Sequence, residues 1–314
     1  VKGLIINKFR GDKTILDPGV QMLEERSHIP VVGVAPYLDI QVEDEDSLTE
    51  RFDRKQEVDL IDIAVIRVPR ISNFTDFNPL ESIPGVSLRY VQHVSELKNP
   101  DMIILPGTKN TMEDLLWMRA NGLEAAVLKE AAKGKIIFGI CGGYQMLGEQ
   151  IIDESGVEEQ SGSIRGLGLI PMTTYFHEEK SRKQVTGHMG AVTGIFAGLK
   201  GLEVTGYEIH MGQSIYETQP CRLVELTDTR TQEANTDGYA SDRVYGSYVH
   251  GIFDRHEIVE SILGALAREK GIETVAEHIL DYRAYKETQY DRLAEELRNA
   301  IDMPRIYEIM DKGV

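Results

Sequence analysis

The run IIFGICGGYQMLG, residues 136–148, passes from an apolar stretch straight into a cysteine set between glycines. Residues 136–140 are short, β-branched or aromatic and read as a buried strand. Tyr144 and the residues after it can open a helix. With Gly139, Gly142 and Gly143 around Cys141, the segment matches G-x-C-x-G. That is the cysteine form of the nucleophile elbow, a sharp strand-to-helix turn that lifts a reactive side chain above a sheet. A thiol at such a position has its thiolate favoured by backbone N–H groups and the helix dipole. A buried cysteine beside a glycine turn that merely lets strand and helix pack would use the same residues, so the chemical reading depends on a base.

Outward from this run, short apolar stretches alternate with helical ones. Strands are predicted at 61–68, 85–91, 101–107 and 135–140, with a helix from Thr111 given a capping-box-like start by Asp114, and an Ala-rich helix at 122–133. The alternation predicts an α/β fold with a doubly wound, mostly parallel sheet and sites at the strand C-terminal ends. Residues 3–9, 16–28 and 29–37 read as a separate β-α-β unit, with Pro18 near its helix start and Pro30 opening its second strand. The acidic, polar stretch that follows reads as an exposed connection with a short helix. Residues 150–245 read as strands and long loops, with strands at 203–212, 221–226 and 243–253, and the chain is helical from Glu257. Two domains are expected, 1–57 and 58–314, the latter including the C-terminal helices.

The chain has 314 residues, enough for two modest cores. With 51 acidic against 34 basic residues its net charge is −17, which repels polyanions and argues against nucleic acid as a partner. No apolar run approaches the roughly 18 residues of a membrane span. Two cysteines, Cys141 and Cys221, make neither a disulfide framework nor a cysteine-rich zinc site and suit a reducing cytoplasm. No metal site is expected. The opening VKGLIINKF has no initiator methionine and begins inside a strand-like run, so a longer parent protein is expected.

Among the eight histidines the best-placed base is His250, at the end of the apolar run YGSYVH and before Gly251. His210 in GYEIHMG is the rival, and Glu208 lies two residues before it. An acyl-transfer nucleophile also needs donors for an oxyanion. Backbone N–H groups at Gly107 and Thr108, in the strand-ending turn LPGT, and at Gly142 are the candidates, although plain turn chemistry explains the same residues.

Taken together, ILPGTKNT (104–111), GICGGYQMLG (139–148), GYEIHMG (206–212) and YVHGIFD (248–254) resemble the glutaminase part of the cobyric acid synthase family, a branch of the class I glutamine amidotransferases. LIINKFRGD (4–12), LDPG (16–19), PVVGVAPY (30–37) and VIRVPRISNFTDFNPL (65–80) extend the resemblance over nearly the whole chain. It implies a class I amidotransferase sheet preceded by part of an α/β synthetase unit related to dethiobiotin synthetase. It further implies glutamine as ammonia donor, with Cys141 forming a glutamyl thioester and His250 as base. In the complete family protein, ammonia and MgATP amidate carboxylates b, d, e and g of adenosylcobyrinic acid a,c-diamide. No phosphate loop G-x-x-x-x-G-K-[ST] occurs in this sequence, so no cofactor is expected on the chain itself. Asn7 matches a position that contacts the nucleotide base in related synthetases. Class I glutaminases at large carry a glutamate two residues after the histidine, and here that residue is Ile252, which leaves Glu208 or a backbone carbonyl to orient the ring. A related amide ligase's glutaminase, such as an a,c-diamide synthase or a cell-wall ligase partner, and a non-catalytic binding module are the alternatives.

Overall fold

Where apolar residues run uninterrupted the chain forms strands covered on both faces, and where they alternate it forms open antiparallel sheet. The computed structural model describes residues 1–38, 40, 58–158, 162–272 and 282–312. The expected acidic connection with its short helix lies almost wholly outside these. Contacts divide the chain into Val1–Glu43 with Arg283–Val314, and Asp44–Tyr282.

In the first unit, β1 (Leu4–Phe9), α1 (Lys13–Ser27) and β2 (Val31–Pro36) form a β-α-β arrangement with β1 and β2 parallel. Asp12 caps α1 by accepting from the Thr14 N–H at 2.9 Å. The helix therefore starts before the expected Leu16, and Pro18 falls in its second turn, where it removes one helical donor.

The second unit begins with β3 (Ile61–Ile66), a 3₁₀ turn at Phe74–Phe77 and α2 (Asn78–Glu81). Then come β4 (Val86–Val91), α3 (Val94–Leu97), β5 (Met102–Leu105), α4 (Thr111–Ala120), α5 (Leu123–Ala132), β6 (Ile136–Ile140) and the single-turn α6 (Gly142–Met146). β7 (Gln150–Asp153), β8 (Gly162–Arg165), β9 (Met172–Met189), β10 (Glu203–Tyr216), β11 (Val224–Asp228) and β12 (Ala234–Asp237) follow. β13 (Tyr239–Ala240), β14 (Val244–Ser247), β15 (Val249–His250) and α7 (His256–Lys270) complete the unit.

One sheet has the order β13-β14-β6-β5-β3-β4 and is parallel except at β13–β14. Every residue of β3, β5 and β6 is buried, as expected for a parallel sheet covered on both faces. The chain steps from β3 to β4 on one side and then returns to β5 on the other. The order thus reverses at β3, and the segments leaving the C-terminal ends of β3, β5, β6 and β14 converge on one crevice. The other sheet has the order β12-β11-β9-β10-β15, antiparallel along that path, with β7 and β8 attached. It brings β10 to the same crevice. The sequence places no strand at β9, because its central charges, Glu178 to Lys183, interrupt the hydrophobic alternation.

The anticipated capping role of Asp114 is filled instead by Asn110, whose side chain accepts from the Glu113 N–H. The C-terminal helices, expected within the 58–314 domain, cluster with the first unit. After α8 (Tyr282–Ala300), Ile301 bridges Gly33 of β2, and the Asp302 N–H donates to the Val32 carbonyl at 2.7 Å before α9 (Met303–Asp311). A Cβ on Gly33 would meet the Ile301 side chain at 2.9 Å. That apolar contact with β2 accounts for the different boundary. No described helix is long and apolar enough to cross a membrane.

β3 carries one charge into the core. Asp62, 2 % exposed, is matched from β4 by Arg89, which donates to both carboxylate oxygens at 2.7 and 2.8 Å and to the Glu96 and Leu97 carbonyls. Removing one partner strands the other in low dielectric. Arg89→Met is expected to cost about 3–5 kcal/mol of unfolding free energy, measured by urea denaturation, with much of the loss recovered when Asp62→Leu is added.

Candidate functional site

Cys141 sits where β6 ends and α6 begins, with φ 50° and ψ −110°, in a region that residues with a side chain seldom adopt. The glycines flanking it allow the turn to close. A Cβ on Gly139 would lie 2.7 Å from the Tyr144 Cα, and one on Gly143 only 2.0 Å from the Leu105 carbonyl oxygen. The Cys141 Sγ approaches the Ile209 carbonyl of β10 at 3.7 Å.

His250, 1 % exposed, lies at the end of β15, where the Cys141 thiol is among the groups that favour its charged form. Its Nδ1 is 2.7 Å from the Oδ2 of Asp76, which accepts from it, while the Asp76 Oδ1 accepts from the Gly251 N–H at 2.9 Å. This leaves Nε2 as the nitrogen available to the thiol. Burial disfavours the charged ring, but Asp76 and, after it, Cys141 outweigh burial and raise His250 to about 10. The ring stacks on Tyr207, its cross-strand partner, at 5.2 Å between centroids. The Tyr207 hydroxyl accepts from the Asn73 Nδ2 at 2.7 Å.

The three oxyanion candidates gather beside this pair. A Cβ on Gly142 would lie 3.2 Å from the Thr108 nitrogen, and one on Gly107 would lie 3.2 Å from the Cε1 of His250. The Thr108 hydroxyl donates to Asp114 at 2.5 Å, and Asp114 also accepts from the Arg70 N–H at 3.1 Å. Gln145, one turn after the cysteine, accepts from the Thr111 hydroxyl and donates to the Met211 carbonyl and the Tyr248 hydroxyl.

Two expectations fare differently. His210 does not serve the thiol: its Nδ1 meets the Gly212 carbonyl at 3.1 Å, its ring stacks on Tyr248, and burial lowers it to about 4. Glu208 does not orient His250. Strand alternation turns it away from the face that Tyr207 presents to the imidazole, toward Lys183, Val185 and Asp228. There burial, and then the charge of Asp237, raise it to about 7. Asn7 is exposed in the first unit and accepts from the N–H of its neighbour Lys8. Among the described residues no group of three or more His, Cys, Asp or Glu side chains could hold a metal ion. Asp76, Asn73, Tyr207 and Gln145 were not singled out from sequence. Asp76 is 174 positions from His250, and no spacing rule links them.

The CobB/CobQ-like glutamine amidotransferase domain family matches residues 62–258. The chain is similar to cobyric acid synthases from Ruminiclostridium cellulolyticum (52 % identity, covering 100 % of this chain and 61 % of that protein), Lachnoclostridium phytofermentans (51 %, 100 % and 63 %) and Photorhabdus laumondii (45 %, 99 % and 61 %). It belongs to the CobB/CobQ-like glutamine amidotransferase domain family. It spans about three-fifths of the length of these relatives.

Glu208 sits above its unfolded value of 4.5, so its contribution to stability is complete below that pH and is lost as pH rises through about 7. Glu208→Gln is therefore expected to be more stable than wild type by about 1–2 kcal/mol at about pH 9 and indistinguishable at about pH 4. Urea midpoints at the two pH values check this.

Proposed function

We propose that this chain is the glutamine-hydrolysing part of a cobyric acid synthase. What carries the reading is the meeting of a thiol on a strained strand-helix turn with an imidazole held protonated beside it. The Cys141 Sγ attacks the side-chain amide carbon of glutamine, forming a C–S bond and a tetrahedral oxyanion. The N–H groups of Thr108 and Gly142, with the Gly107 turn, stabilise that charge as it develops. His250 gives its Nε2 proton to the departing nitrogen, the C–N bond breaks, and ammonia leaves a glutamyl thioester. Water then adds to the thioester carbon and gives a proton to His250. The C–S bond then breaks, glutamate departs after releasing its remaining proton to solvent, and the free Cys141 sulfur is left beside protonated His250 for the next cycle.

In the complete enzyme the ammonia amidates carboxylates b, d, e and g of adenosylcobyrinic acid a,c-diamide at the expense of MgATP. The first unit is read as the end of an ATP-dependent synthetase domain related to dethiobiotin synthetase, with Asn7 toward the nucleotide base. This chain has no phosphate loop, so its residues do not account for that step. Identity of about half to cobyric acid synthases along the whole chain supports this substrate over those of sister ligases. Two unpaired cysteines suit a cytoplasmic enzyme.

Cys141→Ala is expected to lower glutamine-dependent ammonia release at least about 1,000-fold. The glutamine analogue 6-diazo-5-oxo-norleucine should label Cys141 and leave Cys221 unmodified, as read by peptide mass spectrometry. Unchanged ammonia release in the variant would sink the reading.

A further inference from the structure

The run RISNFTDFNPL, residues 70–80, supplies no atom to the reaction above, yet it is folded against both halves of the catalytic machinery. At one end the Ser72 N–H donates to the Gly107 carbonyl at 2.9 Å, and the Arg70 carbonyl accepts from the Lys109 N–H at 3.0 Å, so the run braces the oxyanion loop on either side of Thr108. At the other end Asp76 receives the Nδ1–H of His250 and the N–H of the next residue, Gly251, one on each oxygen. A carboxylate gripping ring and backbone together fixes where the imidazole points, not merely that it is charged. Between the two ends, Asn73 holds the Tyr207 ring over the face of that imidazole.

Asp76 is itself enclosed. It is 4 % exposed in a 3₁₀ turn whose Phe74 and Phe77, 3 % and 0 % exposed, are sunk in the core on either side. The position two residues after the histidine is Ile252, 1 % exposed, which offers no acceptor. The titratable groups around the His250 ring are Asp76 from this turn, Cys141 from the elbow and Tyr207, stacked on its face from β10, while His210 acts on it only through charge; of these Asp76 alone binds Nδ1.

We propose that Asp76 is the positioning residue for His250, holding the ring in the tautomer that turns Nε2 to Cys141, and that the 70–80 run sets base and oxyanion loop in register with each other. The proposal rests on reading Cys141 and His250 as a glutaminase pair. A negative charge beside the ring favours its protonated form, so neutralising Asp76 moves the loss of the imidazolium to lower pH. The wrong tautomer also becomes available to the ring.

The test compares wild type, Asp76→Asn, Asp76→Glu and Cys141→Ala in the intact chain. Asp76→Asn is expected to lower kcat for glutamine hydrolysis roughly 10²- to 10⁴-fold with KM changed less than about threefold. The alkaline limb of the kcat/KM profile, and the NMR titration of the His250 ring, should move about one to three pH units lower. Asp76→Glu should recover part of kcat and part of the alkaline limb, which a role in folding alone would not produce. A folded Asp76→Asn protein with the wild-type kcat and alkaline limb overturns the proposal. If Asp76→Asn does not fold, the wild-type ring titration decides, and a midpoint at the ordinary value of about 6.5 overturns it. Wild type inert to both glutamine and the diazo analogue would instead overturn the underlying glutaminase reading, and this proposal with it.

Discussion

Cys141 can hold its positive φ only because its neighbours leave it no alternative. Left to itself a non-glycine residue relaxes out of that region at a gain of about 1–3 kcal/mol. Here β6 is pinned between β5 and β14, and the Cys141 N–H is bonded to the Ser247 carbonyl at 2.9 Å. α6 is pressed so closely on β5 that no side chain fits at Gly143. The sheet supplies the force, and the glycines remove what would resist it. The thiol's contact with β10 and its place beside His250 both follow from that one bent residue.

The buried carboxylates show a common logic. Asp62 binds a guanidinium, Asp114 a hydroxyl and a backbone N–H, and Asp237 the Ser247 hydroxyl and the Tyr248 N–H. Asp76 binds an imidazole and the backbone beside it. Each accepts from donors on another segment, so that neighbouring elements are held together. A buried polar group is costly unless satisfied, which is why each of these acts as a precise joint. Glu208, with burial dominating and Lys183 only partly opposing it, is the contrasting case.

Much of the parallel sheet, and Cys141 and His250 as candidates, were legible in sequence, because uninterrupted β-branched runs and glycine turns leave local marks. The 70–80 run stood out only as a family-like string. Its purpose depends on β3 and β15 being folded toward one crevice, which no local pattern encodes. β9 was illegible for a related reason: it is held as a strand by thirteen register pairs with β10, four of them at Lys180, Ser181, Arg182 and Lys183, rather than by its own propensity. Glu208 misled because its distance from His210 suggested a shared face, whereas the face that matters is set by the pairing of Tyr207 with His250. The C-terminal helices misled because amphipathic spacing says that a face is covered and not what covers it.

The return of the last helices to the first unit has a topological consequence. That unit draws on residues 1–43 and 283–314, so the amidotransferase domain lies, in sequence order, between its two segments. Two covalent crossings join the units, and cutting either one leaves them tethered through the other at high effective concentration. Ending the chain after α7, which looks harmless from the position of Cys141, would instead strip from β2 the Ile301 bridge that covers Gly33.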